Sequence, residues 1–536
     1  MLKASTSPTS DVFSQIPERF NFARDVVDAW GRDRGRIALY FEDEAGHTAR
    51  YGFWDFSIWS NRFANLLSGL GLRRGEPVLV ILPRLPQWHA VVLAGLKLGA
   101  IVIPCTASLR PKDVAYRAQH SGARAVITTA EGVGVVDAVR EQCPGLAIFV
   151  SVGGGGELPT GWIDGDAAAA SASENFEVAD TRSDEAALCY YTSGTTKDPK
   201  AVLHSHAYTW CHRLTGREWL DVRADGLHWT TADTGWAKAA YGVLFGPWSQ
   251  GAPILMVNAR FDPARQLKLI ERYAVTTFCA PPTEYRMLVK QDMNSFDLSS
   301  LRHCTGAGEP LNPEVMRIWH ERTGRWIHDG YGQTESIILL ANLPGMEIRP
   351  GSMGLPLPGH DVVVLDDDGQ EAAPGEVGEV AVRGRPPSLL LEYWKSPGET
   401  AEVFRDGIYF TGDRAQRDED GYFWFVGRAD DVILSAGYRI GPFEVESALL
   451  EHPAVLESGV VGAPDAERGE LVTAFIVLCP GLEASDALAD ELRAHVKTIT
   501  APYKYPRRIE FVTELPKTIS GKIRRTELRA RLRGEG

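Results

Sequence analysis

No stretch of this sequence is apolar enough, for long enough, to read as a membrane span. The most apolar stretch, residues 90–105, runs 16 residues and contains Lys97, against the about 20 apolar residues a spanning helix needs. A buried helix followed by a strand is expected there instead. Paired cysteines are also lacking. The seven cysteines are odd in number, scattered, and contain no CxxC, which excludes a disulfide framework, gives no zinc pattern, and leaves reduced, buried thiols. A basic surplus is missing too: 56 Lys+Arg face 70 Asp+Glu, a net charge of −14. Such a chain resists nonspecific attachment to nucleic acid or anionic lipid, so no nucleic-acid partner is expected. Residues 1–22 have no apolar signal-peptide core, and Asp11 and Glu18 argue against a transit peptide. A cytoplasmic location is the expectation. No internal repeats are present.

What is there is ordinary globular composition at a length that calls for several domains: 536 residues, 44% hydrophobic and 24% charged. Short apolar strands at 77–82, 100–104, 124–129 and 146–152 alternate with helical stretches, the pattern of parallel sheets with crossover helices. Gly153 to Gly156 and the Ala/Ser-rich 167–173 read as a surface connection. A second α/β region spans about 186–340. Residues 350–425 then break into short strands separated by turn signals such as DDG and EDG, which suggests antiparallel structure. The final hundred residues form a smaller α+β unit. Its segment 501–536 holds ten Lys/Arg and four Glu, a basic patch inside an acidic protein.

The chemically richest segment is ALCYYTSGTTKDPKAVLHSH. Thr192, Ser193, Thr195 and Thr196 offer hydroxyls, Gly194 permits unusual backbone angles, and Lys200 adds a charge, a composition suited to wrapping phosphate oxygens. It is not a Walker A loop, which needs Gly and Ser/Thr flanking the lysine where Pro199 and Ala201 stand. A Ser/Thr-rich surface turn is the plain alternative. Further along, TGAGEPL (305–311) and DGYGQTE (329–335) place small residues and carboxylates near expected strand ends. YFTGDRA carries Asp413, FVGRADD carries Arg428, and PKTISGK ends on Lys522.

In that order, over that distance, these segments resemble the adenylate-forming superfamily of acyl-CoA synthetases, peptide-synthetase adenylation domains and luciferases. FNFARDVVDAW (20–30), TADTGWAKAAYGVLFGPW (231–248), GAGEPLNPEVMRIWHERTG (306–324) and APYKYPRRIEFVTELPKTISGKIRR (501–525) are most similar to medium-chain acyl-CoA synthetases. The resemblance implies an α/β fold with a large N-terminal domain of two α/β layered subdomains plus a small β-rich subdomain. A small mobile α+β C-terminal domain follows. The expected boundaries are 1–428, a hinge at 429–430 centred on Asp430, and 431–536.

It also implies an AMP-forming acid–thiol ligase using ATP, a carboxylic acid, CoA and Mg²⁺. Thr192, Ser193, Gly194, Thr195, Thr196 and Lys200 would hold the β- and γ-phosphates. Thr334 would touch the α-phosphate and Glu335 would bind Mg²⁺. Gly306, Ala307, Gly308, Glu309, Asp329, Gly330, Tyr331, Gly332 and Gln333 would border the nucleotide and acyl group, while Asp413 and Arg428 meet the ribose. Lys522 would bridge the carboxylate and the α-phosphate. Ala436, Gly437, Tyr438, Arg439, Arg468, Tyr505 and Arg507 match CoA-contact positions, which gives the tail's excess charge a ligand; the plain alternative, a solvated basic helix at 522–533, accounts for most of the tail's arginines. Trp236, Tyr241, Gly332 and Ile337 are expected acyl-pocket walls. Gly332, standing where acetyl-CoA synthetases carry Trp, is expected to open the pocket floor to roughly C4–C10, branched or aromatic acids.

Lys197 departs from the family's usual Gly and is either a second cation for the triphosphate or an exposed side chain at the loop's tip. The resemblance further implies a lysine acyltransferase and deacylase acting on Lys522. The alternative enzyme loads a carrier protein in trans; no carrier-attachment sequence follows Lys522, which favours free CoA.

Overall fold

The computed structural model describes residues 12–154, 156–192, 199–436, 438–465, 467–501, 503–517 and 522–533. Three sheets organise them. The first has eight strands in the order Glu392–Tyr393, Ala201–Ser205, Ala186–Tyr191, Ile101–Cys105, Pro77–Ile81, Ala125–Thr128, Ile148–Ser151 and Ile163–Asp164. Pairing is parallel from Ala186–Tyr191 to the far edge, as the strand–helix alternation predicts. The stretch 90–105 divides as expected into the helix Pro86–Leu98 and the strand Ile101–Cys105. Pro86 starts the helix, and Gly99 ends it in the left-handed region at φ 70°. Lys97 is fully buried, and its ammonium donates to Asp28 Oδ1 (2.8 Å), the Ser57 carbonyl (3.1 Å) and Asn61 Oδ1 (2.6 Å). Those three bonds are why a charge is tolerated in the most apolar run.

One expectation needs correction. Residues 167–170 are not connection but belong to the short helix Gly165–Ala170, because Asp164 caps the Ala167 N–H (3.0 Å) ahead of an alanine run. The β-rich region is antiparallel as expected, and it joins the second sheet. Parallel strands Ile37–Asp43, Ile254–Asn258, His228–Thr230, Thr277–Ala280, His303–Ala307 and Ile327–Gly332 continue without a break into antiparallel strands. Ser352–Pro356 joins the two parts by pairing with both Ile338–Ala341 and Phe423–Arg428. The close approach rests on Gly354, at φ 83°, where a Cβ would lie 2.1 Å from the Ala341 carbonyl.

The last strand of this sheet ends at Arg428, and the next strand, Ile433–Ser435, belongs to a third, five-stranded sheet. That sheet is built on the hairpin Val455–Asp465/Gly469–Leu478, covered by helices Pro442–Leu450 and Asp486–Ile499. The basic tail is partly neutralised within this unit. Arg525 lies between Glu446 (2.7 Å) and Asp431 (3.5 Å), and Arg529 pairs with Asp431 at 2.7 Å. The solvated-helix reading therefore fails for these two arginines, whose charges organise the small domain.

Six of the seven free cysteines are buried, in keeping with the thiol expectation. Among the described residues no helix is long and apolar enough to cross a membrane.

The first two sheets meet where the loop 231–236 threads between strand ends. Thr234 donates to the Leu82 carbonyl (2.7 Å), and a Cβ on Gly235 would sit 2.0 Å from the Thr106 nitrogen. Only glycine fits that crossing. The carboxyl ends of His303–Ala307 and Ile327–Gly332 open beside it, the place where α/β sheets bind ligands.

Candidate functional site

Asp413 is the best-defined centre. It is buried on strand Ile408–Arg417, opposite Arg428 in register. Its Oδ2 accepts from the Tyr331 hydroxyl (2.7 Å) and from Gln333 Nε2 (2.7 Å), while Arg428 stands 3.6 Å from Oδ1. Gln333 is itself held, since Tyr409 OH donates to its Oε1 at 2.8 Å. Burial raises the Asp413 pKa, opposed by the charge of Arg428, the Tyr331 hydrogen bond and the charge of Lys522. The last effect places the Lys522 ammonium within electrostatic reach of Asp413. Lys522 also depresses the pKa of Lys238, so the small domain presents its lysine to the large one.

Glu335 lies on the other side of the same strand end. Tyr393 OH donates to its Oε1 (2.8 Å), fixing the carboxylate. Lys200 stacks over the Tyr393 ring at 4.7 Å and pairs with Glu399 at 3.4 Å, close to Glu335 through that shared tyrosine. The preceding Thr334 has its carbonyl held by His204 Nε2 (2.8 Å). Burial lowers the His204 pKa to about 3, so this imidazole is neutral and donates from Nε2. The Thr192 N–H bonds the Lys200 carbonyl (2.9 Å), closing the hairpin from which the hydroxyl-rich loop departs. Ser193, Gly194, Thr195, Thr196 and Lys197 lie outside the described residues, as does Gly437.

The segment at 306–309 packs against Lys238, a residue the sequence reading passed over. Gly308 has φ 101°, and a Cβ there would fall 2.2 Å from the Lys238 Nζ. Glu309 accepts from Thr283 Oγ1 at 2.7 and 2.9 Å, with Arg286 at 3.6 Å. The one signal in the sequence was a lysine inside the otherwise apolar 236–248. Tyr393 and His204, which position Glu335 and Thr334, were likewise missed, because each comes from a distant segment.

The residues expected to wall the acyl pocket sit in different surroundings. Tyr241 and Ile337 are buried, and Tyr241 packs edge-on to Trp219 at 5.7 Å. Gly332 does not face open space: a Cβ there would meet the Ile337 carbonyl at 2.5 Å. A tryptophan at 332 would therefore collide with the neighbouring strand before it reached a pocket, so the glycine is required by backbone approach. Gly330 similarly makes room for the Trp219 ring, 2.5 Å from a built Cβ.

Asp329 is buried, and burial raises its pKa to about 8, against a weaker downward pull from the Gly330 N–H. The folded chain thus holds a proton that the unfolded chain releases above about pH 4. Stability from this group falls as pH rises from about 4 to about 8. Asp329→Asn should raise the melting temperature by several degrees near about pH 9, with the gain shrinking toward about pH 5. A pH-independent difference in calorimetric scans would contradict this.

On the small domain, Tyr438 is half-exposed and stacks on Tyr503 at 4.1 Å. The Ala436 N–H bonds the Arg468 carbonyl (2.8 Å), and the Arg507 N–H bonds Val472 (2.9 Å) on the same strand pair. Arg507 lies over the Tyr505 ring at 4.8 Å. These positions share one end of the third sheet. Asp430 stands 3.6 Å from Arg428, between the second sheet and the third.

The family model for the AMP-binding enzyme matches residues 27–394, and that for the AMP-binding enzyme C-terminal domain matches 444–522. The chain belongs to the AMP-binding enzyme family. It is 45% identical to acyl-coenzyme A synthetase ACSM3, mitochondrial, of Mus musculus, over 98% of this chain and 92% of that protein. Among solved structures it is similar to the anthranilate CoA ligase AuaEII in complex with anthranoyl-AMP (33% identity, TM-score 0.90, 97% of this chain and 99% of that one). It is also similar to an acyl-CoA synthetase of Brucella canis (37%, TM-score 0.75, 96% and 95%). The superfamily resemblance and the fold class stand. The cytoplasmic expectation is overturned, because ACSM3 from mouse, rat and human is named mitochondrial. Composition constrains solubility and thiol state, and neither specifies a compartment.

Proposed function

We propose that this AMP-binding enzyme activates a medium-length (roughly C4–C10), branched or aromatic carboxylic acid and transfers it to CoA. The acid's oxygen attacks the α-phosphorus of ATP, forming acyl-adenylate and releasing pyrophosphate. The CoA thiol then attacks the acyl carbon and AMP leaves. The observation that carries the reading is the buried Asp413, held by Tyr331 and Gln333 with Arg428 3.6 Å away, whose pKa the charge of Lys522 also lowers. Bringing a carboxylate against a triphosphate is opposed by charge, and preorganised cations lower that barrier.

In this reading Asp413, set by Tyr331 and Gln333, accepts the ribose hydroxyls, with Arg428 beside it. Thr192 through Lys200 hold the outer phosphates, Thr334 meets the α-phosphate, and the segments at 306–309 and 329–333 border adenine and the acyl chain. Glu335 suits Mg²⁺: it is a single hard carboxylate, aimed by Tyr393, for an ion that keeps waters and takes its other ligands from phosphate. The ion would offset phosphate charge. Among the described residues no cluster of three metal-binding side chains competes for it.

The division 1–428, 429–430 and 431–536, with Asp430 as hinge, is part of the same reading. Tyr438 is half-exposed, and a rotation of the small domain would bring Ala436, Gly437, Tyr438 and Arg439, with Arg468, Tyr505 and Arg507, to CoA. Acylation of Lys522 by a lysine acyltransferase, reversed by a deacylase, would cancel the charge the first step needs.

The test is pyrophosphate release across C2–C16 straight, branched and aromatic acids, with and without CoA. A maximum between C4 and C10 or on an aromatic acid, with AMP and acyl-CoA formed only when CoA is present, is expected. Loading of a carrier protein without CoA would replace this reading.

A further inference from the structure

Lys238 is an ammonium without an assigned task at the centre of the site. It follows Trp236 on the short helical turn Ala237–Ala239, and its Nζ lies over Gly308. Gly308 is required by its φ of 101°, and a Cβ there would also displace the end of the Lys238 side chain, 2.2 Å away. The Lys238 ammonium stands against this turn. Its acidic neighbours are committed elsewhere: Glu309 to Thr283 and Arg286, Glu284 to Gln266 at 2.8 Å. Among the described residues none accepts a hydrogen bond from the Lys238 ammonium, whose one described ring contact is Trp236 at 5.8 Å. The residue is half-buried, so water or a ligand reaches it, yet enough atoms enclose it that desolvation lowers its pKa. Lys522 is its like-charged neighbour. The charges of Glu309 and Glu284 support the ammonium, but no described side chain bonds it, so a ligand oxygen entering between Trp236 and the strand end at Gly308 would meet a free donor.

We infer that Lys238 forms a subsite for a second oxygen on the acid, so that the preferred substrates are carboxylic acids bearing a hydroxyl, keto or further carboxylate group along the chain. The inference rests on the acyl-CoA synthetase reading and narrows its substrate class. Lys522 takes the reacting carboxylate, and Lys238 donates to the additional oxygen. A plain hydrocarbon acid leaves the ammonium unpaired and binds less well, since a site built to hydrogen-bond its substrate discriminates strongly against analogues lacking the group.

The experiment compares kcat/KM for the best plain acid from the acid screen with its hydroxy, oxo and dicarboxylate counterparts of equal length, in wild type, Lys238→Met and Lys238→Gln. In wild type at least one oxygenated acid should exceed the plain acid by tenfold or more. Lys238→Met should lose at least tenfold on that acid and keep or gain activity on the plain one, while Lys238→Gln, which retains a donor, falls between. Which counterpart leads identifies the neutral or anionic form of the oxygen. Equal losses on both acids in Lys238→Met, or no oxygenated preference in wild type, would overturn the subsite. The wild-type comparison needs no variant to fold, and plain-acid turnover in each variant reports a competent active site. Absence of pyrophosphate release with every acid would overturn the enzyme reading beneath it, and the subsite with it.

Discussion

Lys522→Ala is expected to slow acyl-adenylate formation by about a hundred- to a thousandfold. Conversion of supplied acyl-adenylate and CoA should remain within a few-fold of wild type. The reason is the single location of the ammonium: its charge acts on the pKa values of Asp413 and Lys238, and a rotated small domain would carry it away from both. The first half-reaction drives a carboxylate against the α-phosphate of ATP, and that approach is the one this ammonium is assigned to. Pyrophosphate exchange measures the first half, and CoA-dependent release of AMP from synthetic acyl-adenylate measures the second. Equal loss in both would mean that Lys522 holds the small domain in place rather than serving one step, and the two-orientation reading would fall.

Asp413→Asn should raise the KM for ATP by about tenfold to a hundredfold, the scale of losing one charge-assisted hydrogen bond of about 1.5–3 kcal/mol, with the KM for the acid unchanged. The asparagine amide keeps the volume but turns one acceptor into a donor, facing the donors Tyr331 OH and Gln333 Nε2. Asp413→Ala should add a fall in melting temperature, since both donors and the nearby Arg428 lose their acceptor in a buried position. An unchanged ATP KM in the asparagine variant would take Asp413 out of the nucleotide site.

Legibility in the sequence followed the range of the interaction. The helix Pro86–Leu98 and strand Ile101–Cys105 could be located from a local apolar pattern with Gly99 between them, because capping and periodicity act over a few residues. Asp413 and Arg428 were singled out by motif, yet nothing in either motif says that Tyr331 and Gln333 hold Asp413. Gly332 is the instructive case. Its small size was read as room for a ligand, whereas the structure uses that room for the Ile337 carbonyl. A missing side chain looks the same in sequence whichever neighbour occupies its space.

The sequence by itself determined the class of the protein. Parallel α/β patterning, free buried thiols, and an ordered series of loop motifs ending at Lys522 all depend on local chemistry. Tertiary structure alone decided which groups meet. It merged the β-rich region into the second sheet through Ser352–Pro356, placed Tyr393 against Glu335, and left Lys238 beside Gly308 without an acceptor among the described residues. These outcomes depend on packing between segments up to hundreds of residues apart, and the cost of an unpaired or crowded group exists only once the chain has closed around it.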